Sequence, residues 1–172
     1  MASFWDWSGS SDCELSDENS VDLSHSEMDT LPNSLLTDPL CWKSVQLSHN
    51  CFVSLPNGLC TFTNLVNIDI SNNGLTTIGA EILCLQKLES LTARNNLLDN
   101  TSLPKDFGTI TSLEVINFSG NRFTELPMQL TELNLRNLYL GANRISVIPS
   151  AVKQLKRCEH VASLQLEQFS IS

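Results

Sequence analysis

The side chains capable of chemistry are few and scattered. The three histidines are His25, His49 and His160, and the six cysteines are Cys13, Cys41, Cys51, Cys60, Cys84 and Cys158. Cys158-Glu159-His160 sets a thiol and an imidazole two residues apart, half of a zinc site, but tetrahedral zinc needs a second pair and none stands nearby. No Gly-rich phosphate loop, H-E-x-x-H or G-x-S-x-G string occurs. The expectation is therefore no enzyme, no cofactor and no metal. Ser11, Ser24 and Ser26 each have an acid three residues on (Glu14, Glu27, Asp29), the arrangement acidophilic kinases favour, although any serine-acid stretch produces it.

Charge narrows the partners. The formal net charge is −9, and residues 1–40 hold nine acids with no Lys or Arg, so the rest of the chain is neutral. A neutral body behind an acidic arm argues against nucleic acid, which needs a Lys/Arg surface. The start has no basic and apolar leader, and nowhere are there about 18 consecutive apolar residues, so neither secretion nor a membrane partner is expected. The cysteines have no paired C-x-x-C spacing, which fits reduced thiols in the cytoplasm or nucleus. Asn100-Thr101-Ser102 and Asn117-Phe118-Ser119 match the glycosylation sequon, by chance if there is no secretory route.

What positions the side chains is a repeat. Leu113-Glu114-Val115-Ile116-Asn117-Phe118-Ser119-Gly120-Asn121-Arg122-Phe123 spells L-x-x-L-x-L-x-x-N-x-L, the leucine-rich-repeat signature. The frame starts at Trp42, Leu65, Leu88, Leu113 and Leu135, with periods of 23, 23, 25 and 22 residues. Positions 1, 4, 6, 11, 14, 18 and 21 of each repeat are apolar and are expected to point inward. Positions 4 and 6 alternate as a strand requires, leaving 3, 5 and 7 to solvent. Asn50, Asn73, Asn96, Asn121 and Asn143 fall at position 9, where the chain leaves the sheet. Their amides, donor and acceptor in one group, are expected to form a ladder worth about 1 kcal/mol per member.

The fold class expected is α/β: a leucine-rich-repeat solenoid with a curved parallel sheet on the concave side and short helices or turns on the convex side. About five repeats and degenerate terminal half-repeats make it up. Leu55-Pro56, Leu103-Pro104, Leu126-Pro127 and Ile148-Pro149 start the convex segments. Ala80 to Lys87, rich in helix formers, is expected to be the longest of them. Asp99-Asn100-Thr101-Ser102 carries a two-residue insertion, either tolerated or a binding loop. Residues 1–30, Ser- and acid-rich with sparse apolar residues, read as disordered, and Phe4-Trp5-Asp6-Trp7 within them as a docking motif or a plain terminus. Residues 31–41 read as a capping half-repeat without a strand, 42–157 as the repeats, and 158–172 as a degenerate terminal strand or an irregular tail. An uncapped C-terminal end would invite self-association.

The candidate site is the concave face. Position 5 reads Gln46, Asp69, Thr92, Asn117 and Tyr139, and position 7 includes Ser71 and Arg94. Position 2 adds Lys43, Glu114 and Arg136. Uncharged hydrogen-bonding groups dominate, and Tyr139 and Arg94 are the side chains most like interface anchors. The plainer alternative is a sheet face that is merely soluble. His49 belongs to its rim, as a partner contact or a solvated histidine, and Cys60 and Cys84 belong to the convex turns as structural residues. Five strands at ~4.8 Å and seven residues at ~3.3 Å give a face of about 550 Å². A standard interface takes about 800 Å² per partner.

The L-x-x-L-x-L-x-x-N-x-L-x-x-L-P pattern over residues 40–157 resembles intracellular leucine-rich-repeat proteins of the 23-residue, proline-containing type. Val53-Ser54-Leu55-Pro56, Ala93-Arg94-Asn95-Asn96 and Val115-Ile116-Asn117-Phe118-Ser119-Gly120-Asn121 are similar to the first repeats of one such member. The resemblance implies a non-enzymatic scaffold that binds a protein or peptide on its concave face. Longer members continue with more repeats and a cysteine-rich part, which implies the alternative of a substrate adaptor for a ubiquitin-ligase-type complex. A truncated product without independent function is the third reading.

Overall fold

The computed structural model describes residues 19–146. Six three-residue strands, β1 (Ser20–Asp22), β2 (Ser44–Gln46), β3 (Asn67–Asp69), β4 (Ser90–Thr92), β5 (Val115–Asn117) and β6 (Asn137–Tyr139), form one parallel sheet in chain order. The register puts position 4 of each repeat in one row: Val21, Val45, Ile68, Leu91, Ile116 and Leu138. A three-residue strand would be marginal alone. The ladder runs further, from Val66 N–H to Lys43 C=O at 2.8 Å through Leu47 N–H to Asp69 C=O at 2.7 Å and His49 N–H to Ser71 C=O at 2.9 Å.

The apolar frame fills the core. Every inward position of the repeats starting at Leu65, Leu88 and Leu113 is buried, while Trp42 and Ile145 are half-buried against the core. Phe118 and Phe123 stack with ring centroids 5.7 Å apart. Each such side chain contributes about 1.5–3 kcal/mol of transfer free energy.

The convex segments are all 3₁₀ helices: Leu59–Thr61, Ala80–Cys84, Lys105–Thr109 and Met128–Glu132, with Asn33–Leu36 and Pro39–Cys41 before them. Ala80–Cys84 spans five residues, as do Lys105–Thr109 and Met128–Glu132, so it is not the longest as helix propensity had suggested. Repeat length overrides propensity: the sheet-to-sheet return leaves room for one tight turn. Proline stands just before four of these turns, and its carbonyl accepts the first bond of each. The carbonyls of Pro32, Pro56, Pro104 and Pro127 accept the N–H of Leu35, Leu59, Phe107 and Leu130 at 3.0–3.2 Å, and Gly79 does the same for Ile82 at 3.3 Å.

The N-terminal boundary needs correction. Residues 1–18 lie outside the described residues, but 19–30 are not a disordered arm: they hold β1 and the turn after it, and 31–41 is the convex half of that same repeat. Val21, Leu23 and Met28 pack on the core, and Leu31 and Leu35 are buried in it. The strand survives its acidic, serine-rich composition because it needs only two inward residues. Its remaining polar groups bond to the next repeat, with Leu23 N–H on Gln46 C=O at 2.9 Å and His25 N–H on Ser48 C=O at 3.0 Å. The expected break after Arg157, the terminal strand at 158–172 and the Cys158/His160 pair lie outside the described residues.

The insertion is a brace. The buried Ser102 hydroxyl donates to Thr76 C=O at 2.7 Å and accepts Asp99 N–H at 2.7 Å, and Ser102 C=O accepts Ile78 N–H at 2.7 Å. Asn100 Oδ1 accepts Thr124 N–H at 3.0 Å, so the segment ties the repeats on both sides of it. The Asp99 carboxyl is held below its usual range by the Thr101 hydroxyl and Thr101 N–H.

Candidate concave binding face

Below the concave face lies the asparagine row, which builds its edge. Each amide bonds backbone rather than another amide. Asn73 Oδ1 accepts Phe52 N–H, Asn96 Oδ1 accepts Leu75 N–H and Asn121 Oδ1 accepts Leu98 N–H, all at 3.0 Å, and Asn143 Oδ1 accepts Phe123 N–H at 3.1 Å. Their Nδ2 groups donate back to carbonyls of their own and the preceding repeat, as Asn121 does to Phe118 and Ala93 at 2.9 Å. The first repeat has Ser26 at this level, and Asn50 reaches across for it, accepting Ser26 N–H at 3.1 Å and Met28 N–H at 2.9 Å.

One position before the asparagines, the chain turns through the left-handed region in all six repeats: His25, His49, Asn72, Asn95 and Ala142 at φ 52–57° and Gly120 at 71°. Asparagine and glycine tolerate that conformation, which was the available sequence signal; Ala142 adopts it at a cost of about 1–2 kcal/mol. The side chains form a second row along the rim. The His25 and His49 rings stack at 4.2 Å with 12° between planes, Asn72 Nδ2 lies 3.1 Å from His49 Nε2, and Asn95 Nδ2 donates to Asn72 Oδ1 at 2.9 Å. His49 is therefore a rim residue engaged with its neighbours. At Gly120 the row stops: a Cβ there would stand 2.1 Å from Asn95 Oδ1.

Of the ten concave candidates, nine reach the surface. Lys43, Arg94 and Arg136 are exposed, and Gln46, Asp69, Thr92, Glu114, Asn117 and Tyr139 are half-buried. Ser71 is the exception: it is buried, and its hydroxyl accepts Arg94 N–H at 3.1 Å, so it serves the fold instead of a partner. Two more are partly committed, because Asp69 Oδ1 accepts Ser71 N–H at 2.9 Å and Asn117 Oδ1 accepts Ser119 N–H at 3.2 Å. Asp22 repeats that turn with Ser24, whose hydroxyl and N–H hold the Asp22 carboxyl below its usual range. Arg136 pairs with Glu114 at 3.2 Å across adjacent strands. Tyr139 receives Asn137 Nδ2 at its hydroxyl, 3.3 Å away.

The added strand β1 widens the face to six strands, roughly 660 Å² by the same spacing, still somewhat short of a standard interface. On the convex side Cys60 is half-buried and Cys84 exposed, both as free thiols. Desolvation and the neighbouring Cys60 thiol hold Cys84 above the ordinary cysteine range, in its protonated form. Among the described residues no group of three His, Cys, Asp or Glu converges as a metal site, and no helix is long and apolar enough to cross a membrane.

The Leucine Rich Repeat family model matches residues 64–85, 112–133 and 134–155, the frame counted from the leucines. Leucine-rich repeat-containing protein 58 of Xenopus tropicalis is 52% identical over 73 residues, which is 42% of this chain and 21% of that protein. The chain thus spans about a fifth of that relative's length. Among solved structures, a leucine-rich-repeat protein of Leptospira interrogans matches with a TM-score of 0.69 and 29% identity, over 80% of this chain and 34% of that one. The Arabidopsis receptor kinase HAESA, solved with the peptide hormone IDA and the co-receptor SERK1, matches with a TM-score of 0.65 and 30% identity, over 80% of this chain and 24% of that one. The fold is a leucine-rich-repeat solenoid, and its resemblance to the first repeats of leucine-rich repeat-containing protein 58 holds.

Proposed function

We propose that this leucine-rich-repeat solenoid is a non-enzymatic scaffold that holds a protein or peptide segment on its concave face, in the cytoplasm or nucleus. The observation that carries the reading is the division of the sheet: its inward row is wholly apolar, while its outward positions, Val115 and Gly141 apart, carry hydrogen-bonding side chains, most of them accessible. Rim and ladder hold the backbone beneath them, so the face is preorganised and ordering it on binding costs little. The same architecture in HAESA was solved with a peptide hormone bound, which supports a peptide or protein as the class of partner.

The test is copurification of the full chain from cells, beside a Gln46→Arg/Asn117→Arg variant and a convex Lys105→Glu variant. The reading expects enriched proteins that the concave variant loses and the convex variant keeps. Equal recovery by both would contradict it.

A further inference from the structure

The convex side holds a pair of thiols for which the binding face has no use. The turns Leu59–Thr61 and Ala80–Cys84 belong to neighbouring repeats and pack against each other. They match bond for bond: Phe62 N–H on Leu59 C=O and Thr63 N–H on Thr61 C=O in one, Leu85 N–H on Ile82 C=O and Gln86 N–H on Cys84 C=O in the other. Cys84 therefore stands level with Thr61, one residue past the level of Cys60.

The same level in the following repeat is Thr109, whose successor bonds repeat the pattern with Thr111 N–H on Thr109 C=O. Thr61 and Thr109 turn their hydroxyls back to the carbonyls of Gly58 and Asp106, three residues earlier, at 2.7 Å. Cys84 has a thiol there, a weaker donor, and it shares a hydrogen bond with the Cys60 thiol across the seam between the two repeats. Neither sulfur is in a disulfide; Cys84 is exposed and Cys60 half-buried, so solvent reaches the pair. From touching thiols, the ~2.05 Å S–S bond is a matter of side-chain rotation and a small backbone adjustment.

We propose that Cys60 and Cys84 are a redox modification site at which hydrogen peroxide converts the two thiols to one disulfide, stapling the repeat that starts at Trp42 to the repeat that starts at Leu65. Desolvation, the Cys60 thiol and the Glu81 carboxylate keep Cys84 protonated, which leaves Cys60 as the sulfur that attacks first. The Cys60 thiolate attacks one peroxide oxygen, the O–O bond breaks, and the released hydroxide takes up a proton as water, leaving Cys60 as a sulfenic acid. The Cys84 sulfur then attacks the Cys60 sulfur; the S–O bond breaks, and the departing hydroxide carries off the Cys84 proton as a second water. Two thiols have given two electrons to one peroxide, and a thiol such as dithiothreitol reverses the bond by exchange.

The experiment treats the full chain with hydrogen peroxide, blocks the remaining thiols and maps its peptides without reduction. The expected product has lost two hydrogens and yields a peptide joining Cys60 to Cys84. The crosslink closes a loop of about 25 residues, so the oxidised chain should melt several degrees higher and return to its original Tm with dithiothreitol. Cys84→Ser, at an exposed position, should keep the untreated fold, stop at a Cys60 sulfenic acid that dimedone traps, and gain no Tm on oxidation. Cys51→Ser should behave as wild type. Two unmodified thiols, separate oxidation of Cys60 and Cys84 without a bond between them, or crosslinks that join other cysteines instead of this pair would each overturn the proposal. So would the same rise in Tm in Cys84→Ser. The pair lies on the side opposite the concave candidates, so either result leaves the binding reading untouched.

Discussion

The repeat that begins near Asn19 and the one that begins at Leu113 have the same backbone and opposite economies. The central repeat fills all its inward positions with buried Leu, Ile and Phe and carries its own asparagine. The first repeat packs Val21, Leu23 and Met28 only partly, has Ser26 where the asparagine belongs, and is held by Asn50 of its neighbour. A solenoid repeat need not be self-sufficient, since its stability is an intrinsic part plus an interface with the next one. A terminal repeat can be weak in the first and strong in the second.

Substitutions in the two repeats separate these contributions. Phe123→Ala, at a fully buried ring, should destabilise by about 3–5 kcal/mol in urea unfolding, and Met28→Ala by under about 2 kcal/mol. Similar losses would mean that the first repeat is as well packed as the centre. Asn96→Leu orphans Leu75 N–H in a buried setting and should cost roughly 2–3 kcal/mol. Asn50→Leu should cost less globally, yet release Ser26 and Met28 N–H to rapid hydrogen exchange while Leu98 N–H stays protected. Protection of Met28 unchanged in that variant would remove the bracing role.

Much of this was legible in the sequence because the core follows one rule. The frame counted from leucines gave the inward row from Val45 to Leu140, the asparagine row and the concave columns. Residues 19–30 were missed although Val21, Leu23 and Met28 fall at positions 4, 6 and 11 of the frame, because acids and serines surround them, Ser26 stands where the asparagine belongs, and the bonds that order the segment come from the next repeat. Nor was the form of the convex helices, where repeat length outweighs propensity. Ser71 was misplaced on the surface because alternation sets which way a side chain points but not whether the next strand's Arg94 N–H will cover it.

The left-handed rim offers a finer comparison between its two small residues. Gly120→Ala should destabilise by about 1–2 kcal/mol, from the left-handed φ and the displacement of Asn95. Ala142→Gly should stabilise by roughly 0.5–1 kcal/mol by relieving the same strain. Opposite signs in thermal melts are the check, and a destabilising Ala142→Gly would remove the argument. The smallest effect belongs to acid pH. Asp99 has its folded pKa lowered, so its contribution is present above the ordinary carboxylate range and lost as pH falls below about 4. Asp99→Asn should therefore flatten the fall in Tm between about pH 5 and 3 relative to wild type, and parallel curves would count against it.

The central claim, that partners lie on the concave face, is tested most directly by placing a photo-crosslinking amino acid at single positions of the full chain in cells. The account predicts protein adducts from Thr92 and Asn117, and none above background from the convex positions Lys105 and Met128. Adducts from the convex positions alone, or equally from both sides, would contradict it.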